Sequence, residues 1–156
     1  MPDTHNKQLP ASPSCSDEDN FGLLLHFVRQ GLIRHLEQAL AAQDLGLSFT
    51  QYRVLKMLTN VPHLGASELA RRLEHDAGAL TRLLDKMQER GFLQRQSCQE
   101  DRRSVEISLT DAGRALSRPL RAVSEQLTEF ALSDLSDAEK STLMTLLRRV
   151  RTTLEK

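Results

Sequence analysis

The sequence is poor in cysteine, with only Cys15 and Cys98 among its 156 residues. Two thiols cannot form a disulfide framework and are too few for a zinc site built from cysteines alone. The five histidines show no pair or cluster at metal-ligand spacing either. We therefore expect two reduced thiols, no bound metal and no cofactor.

Long apolar runs and catalytic motifs are also missing. No stretch approaches the roughly 18 apolar residues that cross a bilayer, and the amino terminus has no basic segment followed by an apolar one, so we expect a cytoplasmic protein. The sequence has no glycine-rich phosphate loop and no Gly-x-Ser-x-Gly elbow. Because a chain of this length has one core and no room for a separate catalytic domain, we expect no enzymatic activity.

The sequence has no excess of one charge, since 21 basic residues balance 21 acidic ones. Most nucleic-acid-binding proteins are visibly basic, so the total argues against that function. Residues 1–20, however, hold four acidic residues and one basic residue, which leaves 20 basic against 17 acidic residues in the rest of the chain. The position of the cations therefore matters more than their sum.

What the sequence does contain is a series of helices behind a polar tail. Residues 1–20 are rich in Pro, Ser, Asp and Asn, which predicts a disordered tail. Apolar residues then recur every three or four positions from Phe21 to Leu40, which predicts a long first helix that stops at Gly46. Three shorter helices are predicted next, from Ser48 to a stop at Pro62 and Gly65, from Ser67 to Leu73, and from the Asp76 cap to Arg90 and Gly91.

Two short strands follow these helices. Residues 92–96 and the alternating run Val105–Leu109 flank a polar loop, which predicts a β-hairpin. Thr110 is expected to cap a helix of about 20 residues that bends near Pro119. A capping box at residues 136–139 opens a last helix that reaches Leu154.

The chain resembles the MarR family of bacterial transcription regulators from residue 21 to its end. The motifs that carry the resemblance are Ser67-Glu68-Leu69-Ala70, Thr81-Arg82-Leu83-Leu84-Asp85-Lys86-Met87, Arg90-Gly91-Phe92-Leu93-Gln94-Arg95, Asp101-Arg102-Arg103 and Leu109-Thr110-Asp111-Ala112-Gly113. Each motif is weak alone, but the set at these intervals is specific.

The resemblance implies a mainly α fold with a small β-hairpin wing, in which helices from both termini form a homodimer. The expected regions are the tail 1–20, a winged helix-turn-helix at 46–110, and a helical dimerisation region made of 21–45 and 111–156. The implied function is a repressor that leaves an inverted-repeat operator when a small aromatic or phenolic ligand binds. Double-stranded DNA, a second copy of the chain and this effector are the expected partners.

The fourth helix has a polar outer face that suits the major groove. Small residues at its start permit a close approach to base edges, and Arg82 has the reach for a bidentate contact with guanine. A solvated face without function explains the same pattern equally well. The candidate recognition residues are Ala77, Gly78, Ala79, Thr81, Arg82 and Lys86.

Arginines at the tip of the wing suit a narrow minor groove, where negative potential is concentrated. Arg102 and Arg103 are the candidates, together with Asp101. In the family an aspartate of the wing pairs with an arginine of the reading helix, and the resemblance gives Arg82 this second role with Asp101. The candidate contacts to the DNA backbone are Ser67, Arg71, Arg72 and Arg95.

The apolar stripes of the first helix, the helix that follows Thr110 and the last helix are too extensive for one small subunit to cover. The candidate dimer-interface residues are Leu24, Leu143, Leu147, Val150 and Leu154. For the effector that the resemblance implies, the candidate pocket residues combine apolar or aromatic bodies with polar ends. They are His26, His35, Phe49, Tyr52 and Arg53.

Two other functions fit parts of the sequence. A winged helix can serve as a protein-interaction module, but such a module does not require an Arg-Arg wing tip beside a helix start made of small residues. A redox-responsive repressor would use Cys98, which lies by the wing and close to the charged residues Glu100 and Asp101.

The wing assignment predicts that Arg103→Ala weakens DNA binding by roughly 1 to 3 kcal/mol, because one specific contact is lost. The thermal unfolding temperature should not change. Titration of a labelled operator duplex with both proteins checks the affinity, and an unchanged affinity would mean that the wing assignment is wrong.

Overall fold

The computed structural model describes residues 20–97 and 105–156. By its internal contacts the chain divides into two compact units, residues 1–31 and residues 32–156. Except for Asn20, the segment predicted as a disordered tail lies outside the described residues. The fold is mainly helical with one small antiparallel sheet, as the sequence predicted.

Helix α1 (Phe21–Ala42) is the long first helix. In the first unit its large apolar side chains are exposed, with Phe27 at 62%. In the second unit Leu36 and Leu40 are buried in the core. The helix ends four residues before the predicted stop, since both Asp44 and Gly46 take left-handed backbone angles after it.

Helix α2 (Phe49–Asn60) begins with the predicted capping box. The Ser48 side chain accepts a hydrogen bond from the Gln51 backbone nitrogen, and Gln51 Oε1 accepts one from Ser48 N at 2.9 Å. This reciprocal pair satisfies two of the free amides at the helix start. The buried face of α2 is formed by Tyr52, Val54, Leu55 and Leu58.

Helices α3 (Ala66–Leu73) and α4 (Ala77–Glu89) form the helix-turn-helix. Strand β1 (Leu64–Gly65) directly precedes α3, so Gly65 is the α3 N-cap and Ser67 is its second residue instead of its first. Asp76 caps α4 as predicted, accepting a hydrogen bond from Ala79 N at 2.8 Å. The three-residue turn between the helices turns sharply because Glu74 takes a left-handed conformation with φ of 50°.

The sheet has the strand order β1-β3-β2, with β2 spanning Leu93–Ser97 and β3 spanning Val105–Leu109. The predicted hairpin is therefore present, and Leu93 pairs with Leu109 at its closed base. The sequence analysis missed β1, which pairs with β3 through Leu64 opposite Ile107. Residues 98–104, including the predicted wing tip, lie outside the described residues.

The predicted helix of about 20 residues is two helices, α5 (Asp111–Ala115) and α6 (Ser117–Ala131). The break falls at Leu116 and not at Pro119, because Pro119 is the third residue of α6, where a missing amide costs no helical hydrogen bond. Helix α7 (Asp137–Leu154) begins with the predicted capping box between Ser136 and Glu139. Across the described residues, no helix combines the length and apolarity needed to span a membrane.

Gly113, in α5, is held tightly against the start of the wing. Thr110 donates its hydroxyl proton to the Gly91 carbonyl and its amide proton to the Phe92 carbonyl, and it caps α5 by accepting from Gly113 N. A Cβ atom on Gly113 would overlap the Phe92 carbonyl oxygen. The absence of a side chain here lets α5 pack directly on the backbone that enters β2.

The close approach at Gly113 predicts that Gly113→Ala lowers the free energy of unfolding by about 1 to 3 kcal/mol, since backbone must shift to admit the methyl group. The effect opposes the higher helix propensity of alanine. Urea unfolding followed by circular dichroism measures it.

The matched control is Gly78→Ala in the first turn of α4, where the added Cβ meets its nearest neighbour at an ordinary 3.4 Å. This variant should be as stable as the wild type or more stable. Equal stability of Gly113→Ala and the wild type would contradict the steric argument.

Candidate nucleic-acid interface

The α4 helix has one buried face and one face open to solvent. Leu80, Leu84 and Met87 are almost completely buried, which fixes the rotation of the helix about its axis. The opposite face exposes five of the six predicted recognition residues, and the sixth, Ala79, is half-buried. The exposed ones are Ala77, Gly78, Thr81, Arg82 and Lys86.

The start of α4 is open because its first residues are small. The Asp76 side chain caps the helix from the end and leaves the outer surface of Ala77 and Gly78 uncovered. The Thr81 hydroxyl donates to the Ala77 carbonyl at 2.9 Å, which fixes its rotamer and leaves its lone pairs and methyl group facing outward. A flat, uncharged surface of this kind allows a helix to approach the base edges of DNA closely.

Two exposed cations follow this small-residue surface. Among the residues that the structure describes, neither Arg82 nor Lys86 takes part in an ion pair. The expected partner of Arg82, Asp101, lies outside those residues, as do Arg102, Arg103 and Cys98. Both roles assigned to Arg82, contact with a base and support of the wing, remain predictions.

The predicted backbone-contacting residues of α3 share one solvent face. Arg71 and Arg72 are exposed, and both donate to the carboxylate of Glu68, one turn earlier. Arg71 binds it in a bidentate manner, with Nη2 at 2.7 Å and Nε at 2.9 Å, and Arg72 Nε lies 2.5 Å from Oε1. Ser67 is exposed on the same face and makes no side-chain hydrogen bond within the described residues.

The two arginines lower the pKa of Glu68 from 4.5 to about 2, with hydrogen bonding from Arg71 as the largest cause and that from Arg72 the next. The carboxylate is therefore fully ionised at neutral pH. From the sequence both arginines were assigned to the DNA backbone, and Glu68 was given no role beside them. The spacing i, i+3 and i, i+4 is the signal that identifies the pairing.

The fourth predicted backbone contact, Arg95 on β2, is also engaged. Its Nη2 lies 2.6 Å from Asp85 Oδ1, and its Nη1 donates to Gln88 Oε1 at 2.8 Å. These bonds attach the wing strand to the outer face of α4. A phosphate at this position would meet an arginine that already has a carboxylate partner.

The predicted effector-pocket residues have different surroundings from those expected. Tyr52 is buried in the core, and Arg53 donates to the Leu73 carbonyl at 3.0 Å while its guanidinium lies near the Phe49 ring. The His35 ring contacts the Phe130 ring in a tilted arrangement, with the ring centroids 4.9 Å apart, and His26, in the first unit, is exposed. A cavity elsewhere in the second unit is lined by none of the five.

This cavity lies between α2 and α6 and has a volume of about 630 Å³. The wall of the cavity contains the apolar side chain of Leu120, three cationic side chains and one carboxylate. Lys56 Nζ lies 3.0 Å from the Tyr52 hydroxyl and 3.2 Å from Ser124 Oγ, so it bridges the two helices. The lining residues are Lys56, Thr59, Asn60, Ser117, Arg118, Leu120, Arg121, Ser124 and Glu125.

The predicted dimer-interface residues are largely uncovered in the single chain. Helix α7, which the structure describes in full, has no buried residue. Leu147 is 39% exposed and Leu154 is 79% exposed, while Leu143 and Val150 are half-buried. In the first unit, Leu24 is 54% exposed.

Comparisons with known proteins agree with this geometry. A family model described as the MarR family matches residues 45–104. The HTH-type transcriptional regulator SarZ of Staphylococcus haemolyticus is 32% identical over 127 residues, which cover 81% of this chain and 84% of that protein. SarZ of Staphylococcus aureus strain MRSA252 is 33% identical over 106 residues, 68% of this chain and 70% of its own length.

Solved structures give the same result. Wild-type MarR from E. coli in its apo form has a TM-score of 0.76 and 31% identity, and the match covers 83% of this chain and 96% of that one. A mutant MarR from E. coli complexed with operator DNA has a TM-score of 0.76 and 30% identity, with 88% and 99% coverage.

The pairing on α3 predicts that Glu68 stays ionised in acid. Because its pKa in the folded chain is lowered to about 2, the stabilisation from its ion pairs is complete above about pH 4.5 and is lost as the pH falls towards 2. Carbon NMR of the Glu68 carboxyl during an acid titration measures the pKa. The Arg71→Gln/Arg72→Gln double variant should return it to the ordinary range, and a wild-type midpoint of about 4 to 5 would contradict the pairing.

Proposed function

Because the chain belongs to the MarR family of DNA-binding transcriptional regulators, we propose that it represses transcription as a homodimer on an inverted-repeat operator and is released by a small aromatic ligand. The observation that carries the proposal is the α4 helix, whose core-facing stripe leaves a small, polar and cationic face outside. We propose that this face enters the major groove. Residues 46–110 then form the DNA-binding region.

The proposed contacts at each half-site are of three kinds, to base edges, to the minor groove and to phosphates. The first turn of α4 lies against base edges, where Thr81 and the small residues before it contact bases and Arg82 contacts guanine or supports the wing. Arg102 and Arg103 enter the neighbouring minor groove. Ser67, Arg71, Arg72 and Arg95 contact phosphates and hold the register.

A second copy of the chain is the partner that the uncovered helices fit. An exposed apolar surface of the extent seen on α7 and on residues 21–31 is unusual for a monomer in water. We propose that residues 21–45 and 111–156 bury these side chains against the same segments of the partner. A dimer has two DNA-binding regions and so makes twice as many phosphate contacts as one chain. A chain of zero net charge requires these additional contacts for firm binding.

The effector site that the structure supports best is the α2–α6 cavity, in place of the five residues proposed from sequence. An aromatic carboxylate or phenolate offers an apolar ring for Leu120 and a negative charge for Lys56 and Arg118. The volume of about 630 Å³ accommodates a small aromatic molecule. Cys98 provides the alternative signal, oxidation near the wing.

Selection of bound fragments from the host genome, followed by footprinting, tests the proposed function. We expect protection of an inverted repeat with half-sites about one helical turn apart, and binding to random duplex that weakens as salt rises. Binding that does not depend on salt, or no duplex binding at all, would instead support a protein-interaction module.

Leu147→Asp is the matching test of the dimer, since a carboxylate in an apolar contact between subunits has no partner. Thr145→Asp, on the opposite side of α7, is the control and should remain dimeric. Analytical ultracentrifugation measures the assembly, and footprinting should show no inverted repeat for the monomeric variant. A stable Leu147→Asp dimer would rule out this use of α7.

The cavity assignment predicts that Lys56→Met weakens binding of benzoate, a simple aromatic carboxylate, by about tenfold, the equivalent of one charge-assisted hydrogen bond. Calorimetry measures the affinity. Lys156→Met, the same substitution at the exposed carboxy terminus, is the control. Equal benzoate affinity in all three proteins would remove the cavity as an anion site.

A further inference from the structure

We propose that Glu68 is an internal competitor for DNA phosphate, which holds down the affinity of the α3 face for the nucleic-acid backbone. This inference rests on the proposed function, because it requires the α3 face to meet the backbone. It concerns two other properties, the affinity of the chain for any duplex and the salt dependence of that affinity.

The geometry places one carboxylate between two arginines. Glu68 Oε1 accepts from Arg71 Nη2 at 2.7 Å and from Arg72 Nε at 2.5 Å, and Oε2 accepts from Arg71 Nε at 2.9 Å. A phosphate binds arginine with the same fork geometry and the same donors. Glu68 therefore occupies the donors that a phosphate would use first.

The pair is exposed and reversible. The Arg71 side chain is 73% exposed and its partner carboxylate 33%, so water and counterions screen the attraction. An exposed pair of this kind contributes little to folding, so its removal leaves the helix intact. Because the pKa of Glu68 is about 2, the carboxylate carries its full charge at every pH at which the chain would bind DNA.

Two routes lead to weaker DNA binding. If an arginine leaves Glu68 for a phosphate, the carboxylate stays behind next to that phosphate and repels it. If the arginine keeps Glu68 and uses its remaining N–H groups, the local charge that neutralises DNA is reduced. Either route lowers the number of counterions that binding releases.

The test measures binding of a random-sequence duplex and of a selected genomic fragment across a series of salt concentrations, with wild type and Glu68→Gln. We expect Glu68→Gln to bind both duplexes about tenfold more tightly at low salt, and its salt slope to steepen by about 0.9 for each subunit. Glu68→Gln should stay folded, with its thermal unfolding temperature lowered only slightly, because the ion pairs that it loses are exposed.

The control is Glu155→Gln, which removes the same charge from a pair of similar spacing, that of Arg151 and Glu155 at the end of α7. It should leave the affinity and the salt slope unchanged. An equal gain in this control would mean that net charge alone is responsible and would overturn the inference.

A double-mutant cycle distinguishes two roles of Glu68, competition with phosphate for the arginines and positioning of the arginines for DNA. Arg71→Gln should reduce the affinity for random duplex more in the Glu68→Gln background than in the wild type, because only there is the guanidinium unpaired. Additive effects, or weaker DNA binding by Glu68→Gln, would overturn the inference. If the wild type binds duplex and Glu68→Gln binds it with the same affinity, this inference alone is overturned. If the wild type binds no duplex at any salt concentration, the proposed function is overturned as well.

Discussion

The burial of one stripe of α4 is the constraint on which the rest of the structure depends. Leu80, Leu84 and Met87 enter the same core as α3 and the sheet, each with 1% or less of its surface exposed. A rotation of the helix by even one position would bring Arg82 or Lys86 towards that core, where an unpaired cation is costly. The apolar side chains thus determine which polar side chains are presented outside, so the surface proposed to bind DNA is a consequence of packing.

On the surface formed by α3, α4 and β2, basic side chains are paired with acidic ones, in line with the equal totals in the whole chain. The sequence has equal numbers of acidic and basic residues, and on the described surface Glu68 holds two arginines while Asp85 holds Arg95. Three of the four residues expected to contact phosphates therefore have partners before DNA arrives. The proposed dimer would add a second set of phosphate contacts, and DNA would have to compete with these carboxylates for the arginines.

The elements that the sequence predicted well are those fixed by interactions within four residues. The capping boxes at Ser48 and Ser136 involve neighbours along the chain, so their residue types are enough to place the helix starts. Strand β1 was missed because Leu64 finds its partner more than 40 residues away, on β3. The α2–α6 cavity was not predicted for the same reason, because it forms only when two helices that are distant in sequence pack together. Arg53 was assigned to a pocket because its residue type fits one, but the Leu73 carbonyl at the end of α3 is its partner.

Helix α2 contacts both the cavity wall on α6 and the helix-turn-helix proposed to bind DNA. On one side Lys56 bridges Tyr52 and Ser124 beside the cavity, and on the other side Arg53 holds the last turn of α3. A ligand can shift the DNA-binding equilibrium only by the difference in its affinity for two arrangements of the protein. An anion that draws Lys56 away from Tyr52 changes the contacts of α2 with α6 in the same helix that fixes α3. The proposed effector and DNA-binding sites share helix α2, so a ligand that fits only one position of α2 would also select one position of α3.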